Sequence, residues 1–168
     1  GDVSGKIVHL TLDSWIDAPT QEDYDNSYDS YDGYRDRGLG ALTNLHAVAG
    51  DPDSNIRVVR EFGDLEAARK EGSLAVIAGN EGGKILGSDP SLLDAWSPMG
   101  LRHVQFNWAM PNKLGASQDQ EDDPAQPGLT DFGRQTIEGM NERGMIVDVS
   151  HSAPQTILDA LETTTKPI

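Results

Sequence analysis

A chain of 168 residues with 36% hydrophobic side chains suffices for one domain with a sizeable core, so the expectation is a single unit over residues 1–168. With 28 acidic against 13 basic side chains the net charge is −15 and the pI about 4.4. That field repels nucleic acid and anionic membranes, which excludes both as favoured partners. The absence of cysteine excludes disulfides and thiolate chemistry but leaves the compartment open.

No apolar run approaches the roughly 20 residues of a membrane helix, and membrane insertion is not expected. The opening GDVSGKIVHL has no basic segment followed by a long apolar one, so no signal peptide is visible. The expectation is a soluble protein, with a cytoplasmic and a mature secreted form equally compatible.

In chain order, Ile7 to Leu12 is short and β-prone and reads as a buried strand. Residues 20–38, TQEDYDNSYDSYDGYRDRG, carry four tyrosines at spacings of three or four among Asp, Ser and Gly. Their composition predicts an acidic, solvated loop within the domain, with an aromatic lid over a site as the sharper alternative. GALTNLHAVAG, 40–50, is ambiguous between helix and strand.

From residue 56 the pattern is regular. Ile56–Val59 is a short strand, Asp64 caps a helix running through Arg69, and Gly72 ends it. The apolar run 74–78 has strand length. Ser88 or Asp89 before Pro90 opens a helix with Leu92, Leu93 and Trp96 on one side and Gly100 after its end. Leu101–Phe106 is a strand, followed by the acidic loop SQDQEDDPAQPG.

Thr130 caps a helix with the stripe Leu129, Phe132, Thr136, Ile137 and Met140, and Gly144 stops it. Met145–Val149 is a strand. Ala153–Leu161 is a helix expected to turn Ile157, Leu158 and Leu161 inward. Strands alternating with single helices imply parallel βαβ units.

Polar residues gather where these strands end: Asp13, Trp15 and Asp17; Asn80 and Glu81; Asn107 and Trp108; Ser150 and His151. Taken singly, Asp13 or Asp17 could cap a helix, Glu81 could open a turn, and His151 could be a hydrogen-bonded structural residue. Together they occupy the C-terminal ends of parallel strands, where α/β folds build their sites. Carboxylates with a histidine form a donor set suited to zinc or a similar divalent ion, which activates water for hydrolysis.

NEGGKIL at 80–86, GLRHVQFNW at 100–108 and the long block GLTDFGRQTIEGMNERGMIVDVSH at 128–151 resemble the membrane (renal-type) dipeptidases. These are the M19 zinc metallopeptidases of the amidohydrolase superfamily. The resemblance is good over about 56–168 and looser at the first strand. It implies a TIM-like (β/α)8 barrel with two zinc ions at its C-terminal mouth. It also implies cleavage of small dipeptides or related amides by a metal-bound hydroxide. Carried over, Asp17 is a carboxylate ligand, Glu81 bridges the metals, and His151 binds the second. Glu81 and Asp17 are then the catalytic carboxylates, with Trp15, Asn107 and Trp108 lining the substrate pocket.

Departures from the family pattern keep alternatives open. Trp15 stands where the first strand should carry a metal-binding His, and indole has no lone pair for a metal. Trp108 stands where many relatives carry a substrate-contacting His. The segment 18–55 is short for the family. The chain stops at Lys166-Pro167-Ile168, before the strand that carries the second zinc's other histidine. Three of five ligands are therefore present, and two, one or no zinc are the expected alternatives.

A full barrel needs about 250 residues, so the expectation is a partial or truncated barrel of five to six βα units. Such a unit would associate with copies of itself or with the remainder of the barrel. The functional reading is a dipeptidase-like hydrolase. A non-catalytic relative that binds a ligand between Trp15 and Trp108 is the alternative.

Overall fold

The computed structural model describes residues 5–11, 31–87, 89–108, 112–120 and 128–168. Asp13, Trp15, Asp17, and the part of the Tyr-rich segment from 20 to 30 lie outside them. Five strands form one parallel sheet: β1 (Gly5–Thr11), β2 (Ile56–Val58), β3 (Leu74–Glu81), β4 (Leu101–Gln105) and β5 (Ile146–Asp148). The order is β1-β3-β4-β5. β1 lines one edge of β3 from Ala75 to Glu81, so β2 and β4 must share the other edge. β2 pairs with Leu74–Val76 and β4 with Ala78–Glu81, and the β3–β4 register shifts between Ala78 and Gly79.

The expected parallel neighbours near 7–12, 74–78, 101–106 and 145–149 are these strands. Among the described residues, no helix is long and apolar enough to cross a membrane.

The helices follow local rules with three exceptions. α1 (Tyr31–Ala49) takes in residues 31–38, which composition assigned to a loop, and resolves 40–49 as helix. Tertiary packing overrides weak propensity here. Tyr34, Gly38 and Leu42, four residues apart, are buried on one face, and Arg37 and Lys84 lie 5.0 Å and 5.3 Å from the Tyr34 ring centre.

α2 (Phe62–Glu71) starts at the N-cap Glu61 rather than at Asp64. Asp64 instead sits at the third helical position and reaches back, its Oδ2 accepting from the N–H groups of Arg60 (2.8 Å) and Glu61 (3.2 Å). Gly72 ends α2 in the left-handed conformation, φ 72°.

Asp89 Oδ1 accepts from Ser91 N–H and opens a short 3₁₀ turn, Pro90–Leu92, that runs into α3 (Leu93–Trp96). Thr130 Oγ1 caps α4 (Asp131–Glu142) by accepting from Gly133 N–H at 3.0 Å, and Thr136, Ile137 and Met140 are buried as the stripe required.

The third exception is α5 (Pro154–Thr163). Leu158 and Leu161 are each 54% exposed, and the buried positions are Thr156 and Ala160. The helix lies so close to the Gly115–Ala116 backbone that small residues must face it: Thr156 Oγ1 donates to Ala116 O at 2.9 Å. A Cβ added to Gly115 would come within 2.8 Å of Thr156 Cγ2.

The side of the sheet that faces α3 and α4 is apolar. Ala78, Val104 and Val147 pack there with Leu93, Trp96, Ile137 and Met140 in one buried cluster. Alternation along a strand sends the residues between them to the opposite face. That face carries Glu81, His103, Gln105 and Asp148.

Candidate active site

Register places Thr11, Glu81, Gln105 and Asp148 opposite one another in a single row across β1, β3, β4 and β5, at or next to their C-terminal ends. In-register neighbours share a sheet face, so Glu81, Gln105 and Asp148 project together from the side opposite α3 and α4. The Glu-Gly-Gly motif has a local cause. Gly82 turns the chain after Glu81 at φ 91°, in the region glycine favours. A Cβ on Gly83 would run into the Leu114 side chain and come within 2.9 Å of Phe106 O. Buried Asn80 donates its side-chain N–H to Gly82 O, spanning Glu81 and fixing the turn that presents it.

Asp148 holds two segments at once. Its Oδ2 accepts from His103 Nε2 at 3.1 Å, which must be the donor because a carboxylate only accepts. Its Oδ1 accepts from Ser150 N–H at 2.8 Å, closing a turn two residues on. The hydrogen bond from His103 first, then those from Ser150, hold the Asp148 carboxyl well below the usual carboxylate range despite partial burial.

The turn delivers His151 at φ 62°, a left-handed conformation unusual for a non-glycine residue and the kind of strain that collects at functional sites. His151 C=O accepts from Gln118 N–H at 2.8 Å. Its ring meets Trp108 edge to face, with centroids 4.7 Å apart and planes at 80°.

Residues 112–117 tie the two rims together. Asn112 donates from Nδ2 to Phe106 O (2.6 Å) and accepts Leu114 N–H (2.9 Å). Ser117 bridges antiparallel to Ser152, and Ala153 N–H donates to Ala116 O. Asn107 is fully buried: Nδ2 donates to Gly115 O (2.9 Å), Oδ1 accepts Ser152 Oγ–H (2.7 Å), and its C=O accepts Gln105 Nε2–H (2.7 Å).

Of the residues singled out in the sequence, Glu81, Asn107, Trp108 and His151 thus stand at strand ends on one rim, and Trp108 touches His151. Sequence reasoning passed over Asp148, His103, Gln105 and Ser152. The signal was available, since Asp148 belongs to the same Asp-Val-Ser-His run, and His103 and Gln105 alternate onto one face.

A carboxylate and an imidazole suit zinc in type. In number they fall short: among the described residues, no three His, Cys, Asp or Glu side chains gather closely enough to hold an ion. A cleft of about 480 Å³ lined by His46, Ser54, Arg57, Arg60, Asp64 and Glu71 opens around β2 and shares no residue with this rim.

Comparison with solved structures reproduces the architecture. Over 98% of its length the chain superposes, at a TM-score of 0.79 and 17% identity, on 51% of a metallopeptidase from Rhodobacter sphaeroides liganded with a phosphinate mimic of the dipeptide L-Ala-D-Ala. It superposes likewise, at a TM-score of 0.74 and 23% identity, on 41% of the probable dipeptidase PvdM from Pseudomonas aeruginosa. These likenesses show the fold, an α/β architecture with a parallel sheet of which this chain carries a part.

Among curated sequences, the dipeptidase tcpJ of Claviceps purpurea is 33% identical over 105 residues, 62% of this chain and 24% of its own. An uncharacterized protein of Acinetobacter calcoaceticus, from the PQQ-III 3′ region, is 29% identical over 77% of this chain and 42% of its own. The chain therefore spans less than half the length of either. The family model for membrane dipeptidase, peptidase family M19, matches residues 15–168. With nearly its whole length matched, the chain belongs to the membrane dipeptidase family, peptidase family M19.

Proposed function

We propose that this chain forms, as one unit over 1–168, part of the barrel of a zinc-dependent dipeptidase that hydrolyses small dipeptides or related amides. The observation that carries the reading is the row Glu81–Gln105–Asp148 on one sheet face, with His151 three residues beyond it. Glu81 and His151 would hold the metal, with Asp17 as a further carboxylate.

Zinc, when bound in such a site, polarises the scissile carbonyl and lowers the pKa of water. This chain's own residues orient the ligands. Asn80 fixes the turn after Glu81, Asp148 fixes the turn before His151, and the Trp108 ring limits how the imidazole turns.

The Trp108–His151 contact also favours a second reading, a relative that binds its ligand without turning it over, because the indole covers part of the imidazole. The full-length protein, assayed on L-Ala-D-Ala and a panel of L-L dipeptides, separates the two. Hydrolysis that a chelator removes and added Zn²⁺ restores is the expected result. Saturable dipeptide binding with no product, with or without Zn²⁺, would replace it with the second reading.

A further inference from the structure

We infer that Asn107 and Ser152 are a positioning pair for His151: Asn107 does not offer its amide to substrate but, through Ser152, holds the His151 ring against Trp108. The inference rests on the hydrolase reading only in taking His151 as a working residue.

The Asn107 side chain has no exposed surface, and its hydrogen-bonding groups are committed inside the protein. Nδ2 donates to Gly115 O at 2.9 Å, and Oδ1 accepts the Ser152 hydroxyl at 2.7 Å. It adjoins Trp108 in the chain, as Ser152 adjoins His151, so one buried hydrogen bond couples the two backbones immediately beside the two rings. The ring contact at 4.7 Å is the readable consequence.

The left-handed His151 needs such a restraint. A non-glycine residue at φ 62° is strained and persists only where its surroundings dictate it. Asp148 fixes the approach to His151 by accepting Ser150 N–H, and Gln118 N–H holds the His151 carbonyl. The Ser152–Asn107 bond ties the exit from His151 to the strand end that bears Trp108. Both partners are nearly fully buried, so water cannot substitute for either group.

The test compares Ser152→Ala and Ser152→Thr in the full-length protein. The first readout is the displacement of the His151 ring protons by the Trp108 ring current, defined by difference from Trp108→Leu in ¹H–¹³C spectra. The second is affinity for Zn²⁺ alone. Ser152→Ala is expected to lose most of the displacement and to bind Zn²⁺ about 10–100-fold more weakly, as when an orienting partner of a metal ligand is removed. Ser152→Thr, which keeps the hydroxyl, is expected to retain both.

A merely structural hydroxyl would lower the melting temperature of Ser152→Ala while leaving ring displacement and Zn²⁺ affinity unchanged, and that result overturns the inference. Should the wild type neither hydrolyse dipeptides nor bind Zn²⁺, the hydrolase reading fails, and the ring displacement alone decides the positioning claim.

Discussion

Gly133→Ala is expected to lower stability by about 3 kcal/mol, the upper part of the range for forcing a methyl into a packed interior. In a chain of this size that is a fall in melting temperature of roughly 6–12 °C. Gly133 opens α4 where the helix crosses residues 112–117. An added Cβ would collide with the Leu114 carbonyl oxygen, lie 3.0 Å from the Leu114 carbonyl carbon, and press on a Leu129 methyl. Backbone atoms cannot rotate aside as a side chain can, and Leu114 O is already fixed by Thr130 N–H at 2.9 Å and Thr130 Oγ1 at 3.0 Å.

The strain therefore passes into the segment that carries Gly115, Ser117 and, through them, Ser152. Gly40→Ala is the internal control. It too lies in a helix, but nothing stands within 4 Å of its added Cβ. It should stabilise by about 0.5–1 kcal/mol through the better helix propensity of alanine. Thermal melts of both variants check the pair, and equal effects would mean that the close approach at Leu114 is not what constrains this region.

Asp148→Asn is expected to destabilise by about 2–3 kcal/mol at neutral pH, the scale for removing the charged acceptor of a partly buried hydrogen-bonded pair. The carboxylate serves two donors on two oxygens, His103 Nε2 and Ser150 N. An amide has one oxygen, so whichever way it turns, one of those donors meets its NH₂.

The sign of the pH dependence follows from the direction of the shift. The Asp148 pKa is depressed in the folded protein, so its contribution is fully present above the unfolded value of about 3.9. It is lost as pH falls from there toward the lower folded value. Wild type should therefore lose stability below about pH 4 more steeply than Asp148→Asn, and the two curves should converge in acid. Urea titrations between pH 7 and pH 3 measure this, and parallel curves would show that Asp148 is not ionised in the way its hydrogen bonds require.

Much of this was legible in the sequence because the signals were local. The strands read at 74–78, 101–106 and 145–149, found at Leu74–Glu81, Leu101–Gln105 and Ile146–Asp148, the Thr130 cap and the glycine stops at 72 and 144 follow from short-range chemistry that the fold does not override. α1 was hidden because its anchor, Tyr34, is buried in a core built from distant segments and faces Lys84, some fifty residues away. The inward face of α5 was misread because close backbone approach selects Thr156 and Ala160 over the leucines that hydrophobicity favours.

At the site, Glu81 and His151 were legible as polar residues at strand ends. The His103–Asp148 pair was not, because it depends on β4 and β5 lying side by side in a given register. Asn107 could be placed at the rim from its position after a strand. Whether its amide faces outward or into the protein is decided by Gly115 and Ser152, and no local pattern announces them.

The central claim, that Glu81 and His151 hold the metal of this family's site, is tested most directly by zinc content. The full-length protein and its Glu81→Gln and His151→Ala variants would be dialysed against trace chelator and measured by elemental analysis, with circular dichroism confirming that each is folded. The account predicts that wild type keeps zinc through dialysis and that each folded variant loses it. Zinc retained equally by all three would contradict it.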